Sequence, residues 1–184
     1  VAITPNHPEA RAGYERAANI ETVLQLVDQG LDYEEELELD AAERSFQQAV
    51  DIDPAWQPAQ DGLVRVQATR VKLQSDSRMS EGFEFLVAGD YLAARAAFRM
   101  AKQLAPNSPE PADGLMQVDQ GIRLDNINTL EQEAAALEHS EHWDAAATTY
   151  EEILKVDANL SFAMDGLSRA RRMGAIHKQL DEYI

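Results

Sequence analysis

Asp61-Gly62-Leu63, Asp113-Gly114-Leu115 and Asp165-Gly166-Leu167 recur at a spacing of 52 residues, and most of the small, aromatic and proline positions around them recur as well. A unit copied in tandem buries its apolar face mainly against its neighbours. The chain is therefore expected to generate a surface from nearest-neighbour contacts rather than enclose a catalytic core.

Three segments align without gaps: Leu39 through Pro54, Tyr91 through Pro106 and Trp143 through Ala158. Each reads as a short helix. In the first, Ala42, Phe46, Ala49 and Val50 fall on one stripe while Glu43, Gln47 and Asp51 fall on the other face, the pattern of a helix with one buried side. Pro54 and Pro106 stop the helix because proline lacks the N–H needed to continue it. Pro8, Pro58 and Pro109 suit first-turn positions, with Asn6 or Ser108 as caps,. No proline then interrupts Pro58 to Ala88 or Pro111 to His139, so each is expected to be one long helix of about 45 Å. The alternative is a break where capping-type residues cluster, at Ser75-Asp76-Ser77 and Asp125-Asn126-Ile127-Asn128,. Strand-like alternation is absent, so the expected class is all-α,.

Gly82, Phe85, Gly89-Asp90-Tyr91, Ala94, Phe98, Ala101 and Pro106 are spaced as in the tetratricopeptide repeat, and the segment resembles that family. Gly30, Tyr33, Ala42, Phe46, Ala49 and Pro54 repeat the pattern with Leu37 in place of the turn glycine; Ala134, Leu137, Trp143, Ala146 and Tyr150 repeat it with Ile153 and Ala158 where alanine and proline are expected. The resemblance implies helix-turn-helix units in which small residues let two helices approach and an aromatic fills the gap. It also implies a right-handed α-solenoid, elongated, that binds a protein or peptide. Members that bind acidic C-terminal tails use a basic clamp, but the aligned positions here are Val27 and Leu31, Met79 and Phe83, and Glu131 and Ala135. That ligand class is disfavoured.

The family's usual period is 34 residues, so this repeat of 52 carries 18 more, five helical turns,. Gly62 lies 20 residues before Gly82, and Gly114 lies 20 before Ala134. At 100° per residue these positions fall on nearly opposite faces of one helix, one to grip the preceding short helix and the other the following one. Straight long helices would make each repeat climb about 30 Å, as a staggered rod. The expected organisation is one array: a partial repeat over 1–22, repeats over 23–56, 57–108 and 109–160, and a last helix over 161–184 carrying Gly166. The first spacing, Gly13 to Gly62, is 49, so the first crossing is expected to differ slightly,. A start at Val1 within repeat-like sequence suggests a piece of a larger, bacterial protein.

Net charge is −17, carried by the two ends: residues 1–54 hold 13 acidic and 3 basic side chains, 55–106 hold 5 and 7, and 107–184 hold 15 and 6. Attraction to nucleic acid or anionic lipid needs the opposite sign. No apolar run is long enough to cross a bilayer,. Zero cysteines exclude disulfides and thiolate chemistry without fixing a compartment,. Cytoplasm and periplasm both stay open, and so does a membrane-anchored parent.

No catalytic or cofactor signature is present: there is no Gly-x-Ser-x-Gly, no phosphate-cradling glycine loop and no His-Glu-x-x-His,. His139-Ser140-Glu141-His142 raises a divalent-metal possibility,. His142 nevertheless aligns with Glu38 and Asp90, so an exposed repeat turn accounts for it. Glu34-Glu35-Glu36 with Glu38 and Asp40 lacks the spaced calcium-loop pattern,. Arg169-Ala170-Arg171-Arg172 is expected to pair with carboxylates of its own molecule or of a neighbouring copy,. The expected function is a non-catalytic protein-interaction scaffold without cofactor or metal. Val27, Leu31, Met79, Phe83 and Leu86 are the candidate contact residues, and core packing is the competing role for them. The alternative is a structural spacer or self-assembly module whose partner is another copy of the chain.

Overall fold

Proline and glycine punctuation resolves into seven helices across residues 8–182, the part of the chain that the computed structural model describes. They are α1 (Pro8–Glu35), α2 (Leu39–Ile52), α3 (Gln57–Val87), α4 (Tyr91–Leu104), α5 (Glu110–His139), α6 (Trp143–Val156) and α7 (Ser161–Asp181). No strand occurs among the described residues, so the class is all-α. The proposed cap Asn6 lies outside them.

α3 and α5 run unbroken through the segments where a break was the alternative. In α3 one capping-type side chain is engaged elsewhere: Ser75 is buried and its Oγ donates to the Ala101 carbonyl of α4 at 3.4 Å, so it does not offer its own backbone an alternative to the helix,. Ser108 does not cap α5: the N-cap is Pro109, and the Ser108 hydroxyl bonds the Glu110 carboxylate instead.

Contacts divide the chain into two units, Val1–Arg78 with Met100–Asn107, and Met79–Arg99 with Ser108–Ile184. In the first, α1 packs on α2 around Val23, Val27, Leu39, Ala42, Phe46, Ala49, Ala59 and Val66. In the second, α5 and α7 both pack on α6 around Ile127, Ala134, Ala146, Tyr150, Ile153, Ala163 and Ala170. A smaller cluster there joins Ala94, Phe98 and Val118. Alanine stands four residues before each aromatic, at Ala42, Ala94 and Ala146, where a methyl lets the helix backbones close onto the ring,.

Each long helix turns into its short partner in the same way. Leu37, Gly89 and Glu141, 52 residues apart, all take left-handed backbone with φ of 60°, 77° and 59°. The amides of Glu38, Asp90 and His142 donate back to the carbonyls of Tyr33, Phe85 and Leu137 at 2.9 Å in all three, closing the helix ends. This is the Schellman arrangement, which favours glycine at the left-handed position. The short helices begin less uniformly. Asp90 Oδ1 accepts the Ala93 amide at 3.0 Å, whereas Glu38 and His142 make no side-chain cap.

Candidate partner-binding surface

Three aromatic rings organise the molecule. Within the first unit, Phe46 lies fully buried between Gly30 of α1 and Gly62 of α3; a Cβ on either glycine would stand 2.6 Å from the ring. Within the second, Phe98 lies between Gly82 of α3 and Gly114 of α5, where a Cβ would stand 2.5 and 2.7 Å away. Tyr150 is the third ring. Alanine replaces glycine at position 134, and the tip of the tyrosine rather than its flank meets Gly166 of α7. Glycine in mid-helix is unfavourable by about 1 kcal/mol relative to alanine. Here it leaves the space that the ring fills, which explains its recurrence.

Two of the rings carry an ionic rim. Arg65 pairs with Glu34 at 2.9 Å, linking α3 to α1, and its guanidinium lies 5.8 Å from the centre of the Phe46 ring. Arg169 pairs with Glu138 at 2.9 Å, linking α7 to α5, and donates to the Tyr150 hydroxyl at 3.3 Å. The carboxylate bonds hold both guanidiniums above their ordinary pKa. Burial, and then the Glu138 charge, raise the Tyr150 hydroxyl above its ordinary value, with Arg169 opposing.

The middle repeat lacks this rim. Leu86 and Gln117 hold the positions of the glutamate and the arginine. The polar residues at Glu35 and His139, and at Asp40 and Asp144, are likewise replaced by Val87 and Leu92. Val87 is 90% exposed and Leu92 82%. Phe83, aligned with Leu31 and Ala135, meets Phe98 edge-on with centroids 5.1 Å apart and keeps 39% of its surface in water. At positions 86, 87 and 92 the turn Ala88 to Asp90 is thus flanked by apolar side chains where the other two turns carry polar ones, although the first turn exposes Leu37 and Leu31. Exposed apolar side chains gathered in one place mark an interaction site more often than scattered ones do.

The candidate contact residues divide by burial. Val27 is only 7% exposed inside the first core, so it is a packing residue rather than a contact residue. Leu31 is exposed in the first unit, and Met79 and Leu86 line the Phe98 cluster half-buried in the second, with Phe83 beside them. Among the candidate packing residues, Tyr33 and Phe85 remain more than a third exposed, while Ala42, Ala49, Ala94, Ala101 and Ala146 are fully buried. Val87 and Leu92 were not among the sequence candidates. The signal for them was present, a polar position turned apolar in one repeat of three.

The polar candidates are accounted for by neighbours. Arg171 pairs with Glu151 at 2.7 Å, so two arginines of the basic stretch bind carboxylates of their own unit. Glu34 and Asp40 of the acidic cluster bind Arg65 and Arg70. His142 lines a cleft of about 330 Å³ with Trp143, Gly174 and His177, where Lys178 holds Asp144 at 2.8 Å. No group of three or more metal-ligating side chains is assembled among the described residues. None of the helices there is long and apolar enough to cross a membrane. Compared with protein-family models, with curated proteins and with solved structures, the chain shows no match.

Proposed function

We propose that the chain is a non-catalytic protein-interaction scaffold, a tetratricopeptide-like right-handed solenoid that displays one apolar turn to a partner protein. The tandem repeat supports the solenoid, because a ring seated on glycine recurs in each copy, with two glycines around Phe46 and Phe98 and one at Tyr150. The observation that carries the function is the replacement of a rim glutamate by Leu86, and of the polar residues at two further positions by Val87 and Leu92, in the middle repeat alone, with Val87 and Leu92 left in water. A partner helix or extended segment would bury that apolar surface against backbone already ordered by the Phe98 cluster, so little entropy opposes docking.

The test restores the residues that the other repeats carry. A chain with Leu86→Glu, Gln117→Arg, Val87→Glu and Leu92→Asp should fold, because each replacement already occurs at the aligned position. It should melt within a few degrees of the parent and lose the partner that the parent captures by cross-linking. Capture unchanged at equal melting temperature would remove this surface from the reading. Light scattering over a concentration series tells whether that partner is a second copy: a dimer abolished by the four changes makes the module self-assembling.

A further inference from the structure

Gly62, Gly114 and Gly166 each begin the same contact: a glycine in the first half of a long helix receives the ring of the preceding short helix, Phe46, Phe98 or Tyr150. Gly13 occupies this position in α1, 49 residues before Gly62. Among the described residues, a Cβ built at Gly13 meets nothing within 4 Å. The flanking positions match as well. Three residues on, Arg16 stands where Arg65 and Arg169 form the rims over their rings; four residues on, Ala17 stands where Val66 and Ala170 are buried. Ala17 and Tyr14 are exposed, and Arg16, half in water, turns to Asp53 at 2.9 Å.

We infer that the Gly13 face of α1 is a second docking site, and that its occupant is an amphipathic helix presenting a phenylalanine or tyrosine with alanine four residues before it and alanine or isoleucine three residues after. The molecule itself defines this occupant, since the three helices seated on the matching glycines read Ala42-Phe46-Ala49, Ala94-Phe98-Ala101 and Ala146-Tyr150-Ile153. At 100° per residue the 17 residues from Gly13 to Gly30 turn this face about 100° away from the one that α1 already gives to α2, so both can be occupied together,. Farther along the same helix, Val23, Val27 and Gly30 receive α2 in the first unit. Glycine in an exposed helix with an open face is unfavourable by about 1 kcal/mol with nothing to offset it. A seated ring supplies the offset that the other glycines have.

The probe is a synthetic peptide of residues 39–53, acetylated and amidated, titrated into the isotopically labelled full chain while backbone amides are followed. Because an isolated helix of this length is marginal, binding is expected to be weak but saturable, with shifts centred on Gly13, Arg16 and Ala17. A peptide carrying Phe46→Ala should bind at least about tenfold more weakly, equivalent to losing about 1.4 kcal/mol of contact. A chain carrying Gly13→Leu should keep its helix content, since nothing crowds that position, and lose the shifts. Absence of saturable shifts overturns the site, as does equal binding by the Phe46→Ala peptide. Shifts centred on Gly30 and Gly62 overturn it too, because the peptide would then be displacing α2. The four-residue rim variant leaves this face untouched and should bind the peptide like the parent, which separates this outcome from that of the middle-repeat surface.

Discussion

The same substitution should have opposite effects at Gly62 and at Gly13. At Gly62 a methyl group would stand 2.6 Å from a ring held on its other side by Gly30, so the ring has nowhere to move. Overpacking of this kind costs about 1–3 kcal/mol. At Gly13 the methyl meets open space and gains up to about 1 kcal/mol of helix propensity. Urea titrations should therefore show Gly62→Ala unfolding earlier than the parent and Gly13→Ala unfolding at the same concentration or later; equal shifts would mean the ring does not fill its slot tightly. The turns offer a second contrast. Leu37 and Glu141 hold left-handed backbone that Gly89 adopts without strain. Leu37→Gly and Glu141→Gly should each stabilise by about 0.5–1 kcal/mol, part of the 1–2 kcal/mol penalty being returned as entropy of the unfolded glycine. A melting temperature unchanged in both would show that the turn conformation is not strained. The glycines that meet the rings are ones that spacing singles out in the sequence, because a ring and the gap it fills are both side-chain identities. The left-handed Glu141 was not legible, since an exposed turn tolerates glutamate and the strain leaves no mark on composition.

At the scale of the helix, one long element serves two short ones. α3 offers Gly62 to Phe46 in the first unit and Gly82 to Phe98 in the second, the 20-residue offset that the sequence carries. That much follows from 100° per residue. The rim was less legible, because its partners lie 31 residues apart and become neighbours only after α1 and α3, or α5 and α7, have packed. Val27 illustrates the same difficulty. Its neighbour four residues on, Leu31, is exposed, and only the seating of α2 determines which of the two is covered. The third ring also predicts a response to alkali. An unfolded tyrosine ionises near pH 10, whereas burial and Glu138 keep the Tyr150 proton on above that. Its contribution is complete below pH 10, where both states are neutral, and is lost as pH rises through the folded value. Urea midpoints measured from pH 8 to 11 should fall less steeply for Tyr150→Phe than for the parent; parallel profiles would mean that ionisation of Tyr150 does not drive the loss.

For the whole chain, each ring is held by contacts inside its own unit, Phe46 in the first and Phe98 and Tyr150 in the second. An array held by nearest neighbours has stability close to a sum of local terms, so damage stays near where it is made. The two tryptophans report on this separately, Trp56 lying against the Phe46 cluster in the first unit and Trp143 at the start of α6 in the second. With Trp143→Phe or Trp56→Phe as the single-tryptophan background, Phe46→Ala removes a fully buried ring, a loss of about 3–5 kcal/mol. The urea transition seen by Trp56 should move far to lower concentration while that seen by Trp143 moves much less. Two probes displaced equally would mean that the chain unfolds as one cooperative body. The nearest-neighbour logic behind the scaffold would then fail, and the exposed turn at Val87 and Leu92 would have to be read as part of a single globule.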